Sequence, residues 1–162
     1  MKRLWLLFVT ALLLAGCAAA EHSYVFGVQF ERPEEWTQVY PASRDTQPLK
    51  YLLMNDRTGG RIAFFSHSTF YRTPENVASE LKVRFAQADF NPTEIVYGPD
   101  GRAASFRIAH PRTGMKGKVV VLRPTGIGRC IVAIGRWPAA ADAQATADMD
   151  AVLKDIEIWT EH

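Results

Sequence analysis

The sequence has few of the residues that most often build catalytic or metal centres. Its 162 residues include two cysteines and four histidines, with no Cys-x-x-Cys pair and no two histidines three or four positions apart. These absences argue against structural zinc and against a disulfide-stapled fold. The chain also lacks a Gly-x-Ser-x-Gly elbow, and its Gly126-Ile127-Gly128 lies between two predicted strands rather than before a helix. We therefore predict no metal and no nucleotide cofactor.

A long apolar run is also absent, and this bears on the N-terminal segment. Lys2 and Arg3 precede Leu4–Leu14, which is apolar apart from Thr10. This run is much shorter than the roughly 20 residues that a membrane-spanning helix needs. A positive segment followed by a short apolar one is typical of a secretory signal.

The residues that follow the apolar run resemble a bacterial lipobox. Leu14-Ala15-Gly16-Cys17 has an aliphatic residue, two small residues and a cysteine that would receive the lipid. We predict a lipoprotein signal peptide over 1–16, attachment of lipid (palmitate) to Cys17 and a tether over 17–23. The alternatives are an ordinary signal peptide that is cut near Ala18-Ala19-Ala20 and an uncleaved N-terminal anchor helix.

Lipidation predicts where the protein is found. Several acyl chains on one cysteine anchor a protein stably, because each buried methylene contributes about 0.8 kcal/mol. Ala18, and not Asp, follows the cysteine, which resembles the sorting pattern for the outer membrane and predicts a domain that faces the periplasm. Loss of Lys2 and Arg3 would leave 17 cations and 17 acids. This balance, together with the compartment, argues against a nucleic-acid partner.

Residues 24–160 are predicted to form one α+β domain, an antiparallel meander sheet flanked by two helices. Short apolar runs separated by Gly-, Pro- and Asn-containing turns indicate the strands. The predicted strands are Tyr24–Phe30, Thr37–Tyr40, Lys50–Met54, Arg61–Ser66, Glu94–Tyr97, Ala103–His110, Lys118–Arg123 and Arg129–Trp137. The runs Val119–Leu122 and Ile131–Ile134 are apolar on both faces, so both faces of the sheet require a cover, for which the helices are the candidates.

Capping residues and apolar stripes indicate the two helices. Thr73 and Pro74 have the character of an N-cap and a first helical residue, and this helix is expected to end near Phe90, before a proline. Pro138 is expected to begin the second helix. Its stripe recurs at helical spacing through Ala145, Met149, Val152, Leu153 and Ile156. A short alternating segment, Ile156–Trp159, is predicted to end the domain.

The order of these elements resembles the PsbP-like α/β/α sandwich. An early extended segment ends in Pro33-Glu34-Glu35-Trp36; a hairpin, a helix, a meander and a C-terminal helix follow. The group includes photosystem accessory proteins and small bacterial lipoproteins of the DcrB type. The resemblance implies a binding or assembly-supporting role, mostly without enzymatic activity. The chain has no acidic pair or histidine pair that we can match to a metal site.

Charge is strongly divided along the chain although its net value is small. Gly101–Arg136 contains eight cations and no acid, whereas the residues after it contain six acids and the single cation Lys154. One interpretation is solvated turn residues together with ion pairs between the sheet and the last helix, each worth about 0–1 kcal/mol. The other is a surface that binds lipid phosphates or an acidic protein. The candidate contacts are Arg107, Arg112, Lys116, Lys118 and Arg123.

Nucleophilic chemistry is the weakest of the functional hypotheses. Cys130 begins an apolar strand and is predicted to be a small buried residue. Ser66 and His67 are neighbours on a strand, so their side chains point to opposite faces. A thiol or serine hydrolase would have to bring Cys130 or Ser66 to His67 or His110 through the fold.

We therefore predict an envelope lipoprotein whose domain performs no catalysis and binds a protein or an anionic lipid. The motif at Cys17, the family resemblance and the lack of a catalytic pattern support this prediction. The alternative is a module that holds a small ligand or a lipid in a pocket between sheet and helix.

Overall fold

The computed structural model describes residues 22–25, 28–39, 49–67, 73–123 and 129–158. The strands are β1 (His22–Val25), β2 (Val28–Glu31), β3 (Thr37–Val39), β4 (Leu49–Asn55), β5 (Gly60–His67), β6 (Asn91–Pro92), β7 (Val96–Tyr97), β8 (Ala103–Ala109), β9 (Met115–Leu122) and β10 (Cys130–Pro138). The helices are α1 (Pro74–Gln87) and α2 (Asp142–Ile158), the latter preceded by a 3₁₀ turn at Ala139–Ala141. The predicted signal peptide, Cys17 and most of the tether lie outside the described residues.

Eight of the described strands form one antiparallel sheet, and β1 and β2 form a separate ribbon. The sheet order is β3-β4-β5-β10-β9-β8, with β6 and β7 both pairing with the outer edge of β8. The hairpin β4–β5 and the meander β8–β9–β10 are joined by the pairing of β5 with β10. This pairing runs without a break from Cys130 opposite His67 to Arg136 opposite Arg61. The predicted α+β class, an antiparallel sheet with two helices, is confirmed.

The two helices cover opposite faces of the sheet, so that each apolar strand contributes to two cores. Val119 and Val121 of β9 pack with α1, whereas Val120 and Leu122 pack with α2. The core under α1 contains Val77, Ala78, Ala104, Phe106, Ile108, Val119, Val121, Cys130 and Val132. The core under α2 contains Phe30, Trp36, Tyr51, Leu53, Ile62, Phe64, Val120, Leu122, Ile131, Ala133, Trp137, Ala145, Met149, Val152, Leu153 and Ile156. The apolar run of β9 is therefore covered on both faces, and β10 is covered on both faces over Cys130–Ala133.

Helix α1 begins where its capping residues predict. The Thr73 hydroxyl accepts a hydrogen bond from the backbone N–H of Asn76 at 3.3 Å, and Pro74 occupies the first turn, where its missing N–H costs nothing. The helix ends at Gln87, somewhat before the predicted end. Asp89 then takes a positive φ of 63°, and the chain turns so that the Phe90 ring packs 5.4 Å from that of Phe85.

Helix α2 is fixed on the sheet by two buried tryptophans. The Trp36 indole N–H donates to the Asp148 carboxylate at 2.7 Å, and the Trp137 indole N–H donates to that of Asp142 at 2.7 Å. The Trp137 ring lies directly over Gly135, where a Cβ would also meet the Met149 sulfur at 2.7 Å. Each aspartate thus satisfies the only polar group of an otherwise apolar side chain in the core.

The two ends of the domain differ from the sequence-based prediction. Tyr24–Phe30 is not one strand; β1, which starts at His22, and β2 pair with each other, with Val25 opposite Val28. Alternation alone does not reveal a reversal of the chain within it. Of the alternating segment predicted over Ile156–Trp159, Ile156–Ile158 continues α2, and Trp159 lies outside the described residues. Ile156 is fully buried because it extends the helical stripe, which outweighs an alternation of only four residues.

The β6–β7 region also differs in detail. The single strand predicted for Glu94–Tyr97 is replaced by two short strands, Asn91–Pro92 and Val96–Tyr97. Both pair with β8, which keeps this edge of the sheet short and interrupted. Neither described helix is long and apolar enough to cross a membrane.

Candidate binding surface

Two of the predicted contact residues form ion pairs that attach α2 to the sheet. Arg107 of β8 and Lys118 of β9 lie directly opposite each other. The Arg107 guanidinium donates to the Asp142 carboxylate and, at 3.3 Å, to the Thr146 hydroxyl. The Lys118 ammonium lies 2.5 Å from a carboxylate oxygen of Asp150. These partly exposed pairs match the interpretation of ion pairs between sheet and last helix, and each contributes about 0–1 kcal/mol.

Of the other three predicted contacts, Lys116 lies two residues before Lys118 on the same face of β9, whereas Arg112 and Arg123 lie beyond the two ends of that strand. Arg112 lies in the turn between β8 and β9, where its guanidinium is 2.7 Å from the Asp89 carboxylate. Lys116 is half-buried near the start of β9, and Arg123 is exposed just beyond the end of that strand. Arg107, Lys116 and Lys118 thus share the α2 side of the sheet, whereas Arg112 and Arg123 lie in the segments that flank β9. Anion binding by any of them stays a prediction.

A pair of arginines that sequence analysis did not select stands on the other face of the sheet. Arg61 of β5 and Arg136 of β10 are directly opposite each other, and both are exposed. Neither side chain has an ion pair or a hydrogen bond to another residue in the described part of the chain. Like charges at opposite positions of an antiparallel pair repel each other and are destabilising. Folding alone does not account for this pair.

These arginines border an apolar surface beside α1. Because side chains alternate along a strand, the face that carries Arg61 and Arg136 also carries apolar residues of β4, β5 and β10. They are Leu52, Met54, Ala63, Phe65 and Ile134; each is half-buried, and Phe65 and Ile134 pack against the core under α1. Helix α1 packs on β6, β8 and β9 and leaves this part of the sheet beside it. We call the surface formed by these seven residues the arginine face.

The sequence indicates only one part of the arginine face. Arg61 and Arg136 are far apart in the chain, and only the pairing of β5 with β10 places them together. The count of cations after Gly101 includes Arg136, but Arg61 lies outside that segment. Alternation along β5 is the one sequence signal of this surface, because it places Arg61 on the same face of the strand as Ala63 and Phe65.

Cys130 has the environment of a structural cysteine. Its side chain is 1% exposed in the core under α1. Burial raises the pKa of the Cys130 thiol, and the nearby Arg123 guanidinium offsets only part of this effect. His67 lies directly opposite Cys130 in the pairing of β5 with β10. A raised pKa disfavours the thiolate, which is the nucleophilic form.

Cys130 is therefore expected to react slowly with a disulfide reagent in the folded protein, and at the ordinary rate in urea. The folded thiol ionises at a higher pH than the unfolded one, so the free energy of unfolding should fall as the pH rises above about 8.5. Reagent kinetics and urea titrations at about pH 7 and about pH 9.5 on a Cys17→Ala background measure both effects. In Cys130→Ala on that background, the part of the pH dependence due to this thiol should disappear. Fast modification of the folded protein would contradict this assignment.

The described residues contain no group of three histidine, cysteine or acidic side chains arranged to hold a metal ion. Of the acids in α2, Asp142 and Asp148 accept indole N–H groups, and Asp150 pairs with Lys118. Their carboxylates thus serve to hold the helix in place.

The fold is shared with solved structures of low sequence identity. The Saccharomyces cerevisiae Ran-binding protein Mog1p superposes with a TM-score of 0.60 at 8% identity, covering 83% of this chain and 93% of that one. A point mutant of Mog1 gives 0.56 at 10% identity, with 86% and 93% covered. Cyanobacterial PsbP (CyanoP) from Synechocystis sp. PCC 6803 gives 0.56 at 13% identity, with 86% and 94% covered.

These superpositions span most of each chain, so the domain has the PsbP-like fold that Mog1 also has. This agrees with the resemblance drawn from the order of elements and from Pro33 and Trp36. No protein-family model and no curated protein matches the sequence.

Proposed function

We propose that the protein is a lipid-anchored accessory protein of the bacterial envelope, that its domain faces the periplasm and that it binds another protein through the arginine face. The observation that carries the binding proposal is the pair of opposed arginines, which have no side-chain partner among the described residues and lie beside half-buried apolar side chains. A surface of this type combines an apolar centre with charged residues at its border, as protein interfaces do.

Three further observations support this proposal. One solved structure with this fold is a Ran-binding protein, so the fold serves protein binding in at least one case. Cys130 is buried with a raised pKa, which fits a domain without nucleophilic chemistry. The lipobox-like sequence ending in Cys17, followed by Ala18, supports an anchor in the outer membrane.

A photo-crosslinking amino acid at position 54, on the arginine face, tests the proposal in cells. We expect a discrete crosslinked protein with full-length protein carrying the probe at Met54, and not with the probe at Lys154 on α2. Lys154 is an exposed residue of α2, on the side of the sheet opposite the arginine face. The crosslink should weaken in Cys17→Ala, because an unanchored domain is no longer concentrated at the membrane. Equal crosslinking from both positions would contradict a specific surface.

A further inference from the structure

The shape of the arginine face corresponds to the footprint of one α-helix. Its residues come from three neighbouring strands, β4, β5 and β10, and strands in a sheet are about 4.8 Å apart. The outer two strands are thus roughly 10 Å apart, close to the diameter of a helix with its side chains. On the same face, α1 already covers β8 and β9. A second helix beside α1 would complete this layer of the sandwich.

The charges on this face specify the helix further. Arg61 and Arg136 stand at one end of the face, in one row across the sheet with Met54. The next row contains Leu52, Ala63 and Ile134, which carry no charge. A helix with acidic residues at one end would match the arginine row. An apolar stripe beginning next to those acidic residues would match the uncharged row. Carboxylates would also relieve the repulsion between the two guanidinium groups through charge-assisted hydrogen bonds.

We propose that the arginine face binds an acidic amphipathic helix of a partner protein, which lies beside α1 with its apolar stripe on Leu52, Ala63 and Ile134. Carboxylates at one end of that helix pair with Arg61 and Arg136. This inference rests on the proposed protein-binding function and adds the chemistry and shape of the partner. Two arginines give little attraction to an anionic membrane, at about 1 kcal/mol each, so a helix of a protein is favoured over lipid.

The binding test uses the full-length lipidated protein in phosphatidylcholine nanodiscs. The probe is a fluorescent helical peptide with a leucine stripe and glutamates on its other positions. A matched peptide carries lysine in place of each glutamate. We expect the glutamate peptide to bind, to bind more weakly as salt rises, and the lysine peptide not to bind. Fluorescence anisotropy measures both affinities.

Two double variants with the same change in net charge separate the arginine face from general electrostatics. Arg61→Gln with Arg136→Gln should weaken binding of the glutamate peptide by about tenfold or more. Arg129→Gln with Lys154→Gln should leave it unchanged. Both residues are exposed, lie outside the arginine face and have no side-chain partner in the described residues. The arginine variant should unfold at no lower temperature than the wild type, because it removes a cross-strand repulsion.

The other outcomes each overturn the proposal in a distinct way. If neither peptide binds while Met54 still crosslinks to a protein in cells, the acidic helix is wrong and protein binding stands. If both double variants weaken binding equally, the peptide is held by general electrostatic attraction and the arginine face has no specific role in binding it. If phosphatidylglycerol in the nanodiscs displaces the glutamate peptide by binding to Arg61 and Arg136, the arginine face binds anionic lipid and not an acidic helix.

Discussion

Trp137→Ala is expected to lower the free energy of unfolding by about 3–5 kcal/mol, as removal of a large buried aromatic side chain usually does. The Trp137 side chain is fully buried in the core under α2. Its ring covers Gly135 and lies near the Met149 sulfur, and its indole N–H donates to Asp142. Alanine would leave a cavity between the sheet and α2 and remove this hydrogen bond. Because small domains are stable by only about 5–15 kcal/mol, much of the protein would be unfolded at moderate urea concentrations.

Trp137→Phe separates the two contributions. Phenylalanine keeps most of the apolar contact and loses the N–H group, while Asp142 keeps its pair with Arg107. We expect a smaller loss, of about 1–2 kcal/mol. Urea denaturation followed by circular dichroism measures each value. Val96→Ala is the matched control, since Val96 is 66% exposed and its loss should cost less than about 0.5 kcal/mol. A loss for Trp137→Ala as small as for Val96→Ala would contradict this account of how α2 is held.

Cys17→Ala is expected to abolish incorporation of labelled palmitate and to move the protein out of the membrane fraction. If the lipobox interpretation is correct, Cys17 is the only position at which acyl chains attach. Each methylene of those chains contributes about 0.8 kcal/mol to anchoring, so their loss removes the whole anchor. Metabolic labelling and fractionation of the full-length protein measure both effects.

The second cysteine of the chain provides the control for this experiment. Cys130 is buried in the core under α1, so Cys130→Ala should retain both the label and the membrane location. Labelling that persists in Cys17→Ala, or that is lost in Cys130→Ala alone, would show that the lipobox interpretation is wrong. A Cys17→Ala protein that keeps its membrane location without label would point to an uncleaved N-terminal helix as the anchor.

Much of the fold was accessible from the sequence because its signals are local. The Thr73-Pro74 cap, the glycine-containing turn of the β4–β5 hairpin and the apolar strands β9 and β10 all lie where the pattern placed them. Prediction was wrong where a short pattern admits two structures. The alternation at Tyr24–Phe30 contains a chain reversal, and that at Ile156–Ile158 belongs to a helical stripe.

The candidate site was much less accessible. The cations of the segment after Gly101 are visible in the sequence, but their partners are not. Arg107 and Lys118 meet acids of α2 only because β8, β9 and α2 pack together. The packing of α2 also gives the buried Trp36 its hydrogen-bond partner, because the indole N–H donates to Asp148, more than a hundred residues away in the chain. A charge count cannot tell a cation that is neutralised within the fold from one that is left unpaired.

The sequence by itself determined most of the element types, the Thr73 cap of α1 and the need to cover both faces of the sheet, and it predicts the anchor at Cys17, because each depends on neighbouring residues. Only the tertiary structure decided which strands meet. The pairing of β5 with β10 joins the hairpin to the meander and places Arg61 opposite Arg136. That choice depends on packing across the whole sheet, since two strands far apart in the chain carry no local signal of their register.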